Sequence, residues 1–213
     1  MRSSEEEEGQ RGGRRYVLKL RARHQEETRR RIVQATGELH RSIGPAKTTV
    51  SAIAKRAGVE RETVYRHFPD MGLLIGACGA RFLELVEPPD PEQLATIRDP
   101  MQRLKVGLEA VYDYYRRAGP GLDKLLRDRA VLPAHLHLGD PVLERIAAVE
   151  SVLLEPWANR NSNKVRAAVG HATAYWTWHS LVLQRGLSQE ETVELVLTFL
   201  NAVIDGRNGR TRR

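Results

Sequence analysis

"TTVSAIAKRAGVERETVYRHF", Thr48 to Phe68, is the stretch on which the fold turns. Thr49 stands as an N-cap before Val50, and Val50, Ile53, Ala54 and Ala57 recur at i, i+3, i+4 and i+7, one face of a short helix. Gly58 is free to take a left-handed turn, and Val59 follows as an apolar plug. The spacing predicts a second short helix from about Arg61 to Arg66, with Val64 turned inward. Two short helices about a glycine turn, the first apolar on one side and the second polar on the outside, make a helix-turn-helix.

Upstream, "ETRRRIVQATGELHRSIG" places Ile32, Ala35, Thr36 and Leu39 at helical spacing, with Arg29, Arg30 and Arg31 largely outside that stripe; Gly44 and Pro45 end the helix. Downstream, Asp70 can cap a further helix running to about Val86, in which Gly72, Gly76 and Gly79 share one face. Pro88, Pro89 and Pro91 then interrupt the chain. Beyond them the pattern stays helical: Asp140 and Pro141 suit a helix start, "NSNKVRAAVGHATAYWTWHSLVLQRG" reads as one long helix, and Ser188 to Glu191 form a capping box. Strand alternation and hairpin turns are missing. The expected fold is all-α: a disordered N-terminal arm over residues 1–20, a helix-turn-helix domain over 21–70, a linking helix and connection over 71–90, and a helical domain over 91–213.

Charge is sharply localised. Arg14 to His67 carries 14 Lys/Arg against 5 Asp/Glu, whereas residues 68–213 balance at 18 of each. The entire positive excess lies in about a quarter of the chain, the footprint of a module that faces a polyanion. A lone cysteine, Cys78, excludes an internal disulfide and a cysteine zinc cluster. With no apolar run long enough to span a membrane and no apolar leader in "MRSSEEEEGQRGGRRY", the expected setting is cytoplasmic.

The Thr48–Phe68 stretch resembles the DNA-binding signature of the tetracycline-repressor (TetR) family of bacterial transcription regulators, and the match covers roughly Thr28 to Val86. Two positions depart from that family: Met71 stands where a phosphate-binding lysine is usual, and His40 where a phenylalanine is usual. The resemblance implies a dimeric regulator, a repressor by the family's usual mode, that binds a pseudo-palindromic operator in double-stranded DNA and is released by a small-molecule effector. On a recognition helix, Arg61 and Arg66 suit bidentate contacts with guanine, Glu62 suits cytosine, and Thr63 suits phosphate or a thymine methyl. By resemblance, Tyr65 and His67 hold phosphates, while Thr48 and Thr49 engage the DNA backbone at the start of the preceding helix. "RRYVLKLRARH", Arg14 to His24, precedes the usual family start; it either extends the first helix, lies along DNA as a basic arm, or is a solubilising tail.

In the C-terminal part, Tyr112, Tyr115, Trp176 and His179 are candidates for an effector pocket. Val165, Val169, Ala172, Val193, Val196, Leu197, Leu200 and Ile204 form apolar faces broad enough for a four-helix homodimer interface. The reading includes no catalytic residues, no resident cofactor and no metal. Two alternatives stand beside it: a metal-responsive regulator using His135 and His137 or His171 and His179, and a helical protein with an unrecognised enzymatic activity. Against the second, the sequence shows neither a glycine-rich phosphate loop after a strand nor a serine-nucleophile motif.

Overall fold

A computed structural model describes residues 3–129, 131, 141–160 and 163–206. These are helical, with no strand among the described residues. In order they form α1 (Ser3–Ile43), a 3₁₀ turn (Pro45–Lys47), α2 (Val50–Ala57), α3 (Arg61–His67), α4 (Met71–Leu85), α5 (Pro91–Ala95), α6 (Pro100–Ala118) and α7 (Pro120–Arg129). After these come α8 (Pro141–Leu154), a 3₁₀ segment (Glu155–Arg160), α9 (Asn163–Thr173), α10 (Tyr175–Trp178), a π-helical run (His179–Gln184) and α11 (Gln189–Asp205). The Asp140 cap expected from the sequence lies outside the described residues.

The chain divides into two compact units, Met1–Cys78 with Lys124–Leu138, and Gly79–Asp123 with Gly139–Arg213. The first division falls inside α4, among the glycines of its small-residue face, rather than at its ends.

In the first unit, Ile32 and Ala35 of α1, Ile53, Ala54 and Ala57 of α2, Val64 of α3, and Phe68 and Leu74 close into one core. Removing these apolar surfaces from water is the main force holding three short helices together. The expected N-terminal arm is helix instead: α1 runs unbroken from Ser3. No proline interrupts residues 3–43.

The same unit includes a buried polar junction. The Asp128 carboxylate accepts from the Ala46 amide at 3.0 Å and from Arg127 at 2.8 Å. Lys124 donates to the Arg41 carbonyl at 2.7 Å, near the end of α1. Gly44 lies against Asp128 with φ +90°, and a β-carbon there would sit 2.3 Å from the carboxylate oxygen.

The second unit is built on α6, whose Leu104, Leu108, Val111, Tyr112, Tyr114 and Tyr115 are all buried. Arg103, also buried, donates to the carbonyls of Ala95, Ile97 and Val152 and to the Glu155 carboxylate, so one guanidinium holds α5, α6 and the end of α8 together. The single long helix expected over residues 161–186 is broken. Ala174 is extended (φ −66°, ψ 137°), which separates α9 from α10. A continuous helix would pair the carbonyls of Ala172 and Thr173 with the amides of Trp176 and Thr177. Instead the Tyr112 hydroxyl donates to Ala172 at 2.7 Å, the Tyr115 hydroxyl donates to Thr173, and the Thr177 hydroxyl donates to His171. Burial pushes the titration of both tyrosines up, so both remain proton donors. The expected capping box is present: Ser188 Oγ accepts from the Glu191 amide and Glu191 accepts from the Ser188 amide.

Candidate functional site

The turn between α2 and α3 is closed by backbone geometry. Gly58 is left-handed (φ 64°, ψ 45°), and the Val59 amide reaches back to Ala54 at 3.0 Å, satisfying a terminal carbonyl of α2. Val59 packs at the edge of the core. On α3, Val64 and Phe68 point into the core with no exposed surface. At about 100° per residue, this leaves Glu62, Thr63 and Arg66 on the opposite side, flanked by Tyr65 and His67. Arg61, Glu62, Tyr65 and Arg66 are exposed, while Thr63 and His67 are half-buried. Six polar groups in seven residues thus surround one apolar anchor. Arg66 rests its guanidinium on Thr63 Oγ1 at 3.2 Å, which uses one of its five N–H groups.

The start of α2 separates the two threonines. Thr49 Oγ1 accepts from the Ala52 amide, so its own proton is left to donate outward. The Thr48 hydroxyl instead donates to the Gly44 carbonyl at 2.8 Å and ties down the preceding turn. A phosphate oxygen can use the Thr49 proton and the first-turn amides of α2, which lack intrahelical acceptors. Met71, at the usual lysine position, packs against the core.

Two arginines overlooked at the level of sequence brace the motif from α1. Arg29 stacks over the Phe68 ring, 4.3 Å from its centroid, and its Nη1 donates to the His67 carbonyl at 3.4 Å. Arg31 Nη1 donates to the Ala57 carbonyl at 3.2 Å. Each places a cation at the C-terminal end of a short helix, where the dipole is negative. The sequence offered only three consecutive arginines outside the apolar stripe; their targets, 26 and 38 residues away, depend on tertiary structure. Burial, Arg66 and Arg29 lower the His67 titration against an opposing pull from Glu26, which favours a neutral imidazole with one N–H to donate.

Residues 32–78 match the family model for bacterial regulatory proteins of the tetR family. This stretch of the chain is similar to the DNA-binding part of tetR-family regulators. Two further kinds of likeness accompany that match. The nucleoid occlusion factors SlmA of Vibrio atlanticus and Vibrio cholerae are each 25% identical over 130 residues, 59% of this chain. The chain spans only 64% of the length of these curated relatives. Among solved structures, NalD of Pseudomonas aeruginosa, the secondary repressor of the MexAB-OprM multidrug efflux pump, is 26% identical with a TM-score of 0.52. That likeness covers 86% of this chain and 98% of NalD. A tetR-family transcriptional regulator from Streptomyces coelicolor shares the fold at 20% identity and a TM-score of 0.57, over 85% of this chain and 82% of its own.

In the C-terminal unit the expected effector residues fall in different surroundings. Tyr115 lines a small recess of about 10 Å³, partly open to solvent, with Pro88, Pro89, Tyr114 and Ile146 among its walls. Tyr112 is fully buried and does not line it; its hydroxyl holds the α9–α10 break. Trp176 is 48% exposed and meets His179 edge to face, with ring centroids 5.3 Å apart. Neither residue is among those lining the Tyr115 recess, and His179 is half-buried.

The expected dimer residues are occupied largely by packing inside the chain. Val165, Val169, Ala172, Val193, Val196 and Leu200 are buried within one protomer, where α9 packs against α11, and Leu197 and Ile204 are half-buried. The apolar face visible in sequence is therefore satisfied inside the subunit. What α11 leaves outside is Phe199 (62% exposed), Ala202 and Val203 (37%), with Leu195 half-buried one turn earlier.

Of the histidines, His135 and His137 lie outside the described residues. His171 Nε2 is 3.4 Å from Thr177 Oγ1, across the break from His179. Among the described residues, no three His, Cys, Asp or Glu side chains gather as metal ligands. No helix among them is long and apolar enough to cross a membrane.

Proposed function

We propose that this chain is a DNA-binding transcriptional regulator that reads a pseudo-palindromic operator as a homodimer. The observation carrying this reading is the α3 face: Arg61, Glu62, Tyr65 and Arg66 exposed around a helix anchored by Val64 and Phe68. Such a helix fits the major groove, where Arg66 and Arg61 can fork onto guanine and Glu62 can accept from cytosine. Tyr65, Thr49 and the neutral imidazole of His67 supply phosphate donors. Thr48 acts on this reading through the turn it holds rather than through its hydroxyl.

The homodimer is formed through the outer face of α11, Phe199, Ala202 and Val203, which a lone subunit leaves in water. Repression is the mode supported by the likeness to NalD, a repressor at 26% identity. A small apolar effector entering beside Tyr115 releases the operator, and the protein works in the cytoplasm on nucleoid DNA.

Selection of bound duplexes from a random pool with the full chain tests the reading. A palindromic motif is expected. Arg66→Ala should relax one base position by about 1–3 kcal/mol, whereas Tyr65→Phe should weaken all sequences alike. Recovery of no palindrome from a folded protein would refute the reading.

A further inference from the structure

α1 extends well upstream of the helix-turn-helix core, and its exposed cations lie in line with the end of the reading helix. Arg29 bonds the last carbonyl of α3, and the Glu26 charge is felt at His67, so this side of α1 faces the α3 C-terminus. Lys19 lies two turns before Glu26, about 20° from it in azimuth; Arg23 and Arg30 lie about 60° and 40° away. Lys19, Arg23 and Arg30 are exposed and make no hydrogen bond or ion pair among the described residues. At about 1.5 Å per residue, Arg23 and Lys19 stand roughly 9 and 15 Å along the axis beyond Arg29.

We infer that this upstream part of α1 is a second DNA-binding element, a helical clamp on phosphates flanking the base pairs that α3 reads. It rests on the DNA-binding reading above and adds a site to it. Charge selects the partner: three free cations share the stripe with one carboxylate, Glu26, which acts on His67. A duplex carries one negative charge per roughly 1.7 Å of axis, so cations spread over about 9–15 Å of α1 from Arg29 are spaced to meet phosphates other than those beside α3. The clamp also supplies phosphate contacts that Met71, packed into the core, does not make. A lipid surface fits less well. The exposed apolar residues Val17, Leu18 and Leu20 stand at azimuths of about 0°, 100° and 300°, too dispersed for one inserting face.

The test uses the full chain and a duplex recovered by selection, in two lengths: trimmed to the palindrome, and extended by about one helical turn at each end. The combined variant Lys19→Ala, Arg23→Ala, Arg30→Ala should lose affinity on the extended duplex. Its slope of log K against log salt should shrink by about 0.9 for each contact removed, up to roughly 3 per protomer. The trimmed duplex should show little change. Lys19→Arg, Arg23→Lys, Arg30→Lys keeps the charge and should keep the slope, which separates the clamp from a folding defect. Equal slopes for wild type and the alanine variant, or equal losses on both duplexes, would overturn the clamp while leaving α3 as the reader. A wild type that binds neither duplex would overturn both readings. Binding of wild type, but not the alanine variant, to mixed phosphatidylserine and phosphatidylcholine vesicles, with an unchanged DNA slope, would assign the stripe to a membrane instead.

Discussion

His40 should make this protein sensitive to mild acid. It lies on α1 with Nδ1 3.9 Å from Cys78 Sγ, and burial pushes its titration down to about 4 against a weaker opposing pull from Asp128. In the unfolded chain an imidazole titrates near 6.5. The unfolded state therefore binds one proton more than the folded state between those values. Stability is whole above about pH 6.5 and falls by roughly 1.4 kcal/mol per pH unit as pH drops toward 4. The full loss is about 3 kcal/mol, a large share of the 5–15 kcal/mol typical of a domain. Carboxylates whose titration is lowered, such as Asp128 and Asp113, contribute stability that disappears mainly below this window. His67, shifted in the same direction, contributes to both proteins and cancels in a comparison. The measurement is urea unfolding across this range for wild type and for His40→Phe, which keeps an aromatic ring and removes the titration. The stability gap should widen in favour of the variant by up to about 3 kcal/mol as pH falls. Parallel losses in the two proteins would show that His40 is protonated in the fold as easily as in water.

Gly44→Ala combines a left-handed backbone with a β-carbon 2.3 Å from the Asp128 carboxylate. Loss of about 3 kcal/mol is expected from backbone strain and the displaced Asp128–Ala46 bond, and a melting temperature equal to wild type would contradict the junction. Ser188→Ala removes the side-chain half of the capping box, the Glu191 N–H to Ser188 Oγ bond, and should cost about 1 kcal/mol in denaturant unfolding; no change would mean that α11 does not depend on that cap. Phe199→Glu puts a charge on the outer face of α11 and should give a monomer in sedimentation, whereas an unchanged dimer would move the interface elsewhere.

The helix-turn-helix was legible because its determinants are local. Val50, Ile53 and Ala57 declare one face of α2, Gly58 declares the turn, and Val64 has no other place to be buried within seven residues. The outward face of α3 follows from those anchors alone. Arg29 and Arg31 were illegible in their roles because a cation at a helix terminus is defined by which helix arrives, not by its neighbours in sequence. The dimer face was open in sequence for a related reason. Apolar periodicity on α9 and α11 says that something must cover Val169 and Val196, but not whether the cover belongs to the same subunit. The break at Ala174 was hidden too, since nothing between Asn163 and Trp178 is a strong helix breaker.

The bend between α9 and α10 also constrains the order in which the second unit can assemble. Its carbonyls are held by phenols on α6, 60 and 58 residues earlier in the chain. Before those phenols arrive, the local sequence favours carrying the helix straight through Ala174, because an interrupted helix would leave two carbonyls to water. Contacts closed over such separations are slow to form, so in refolding the bend is expected to follow the docking of α6 on α9 rather than precede it.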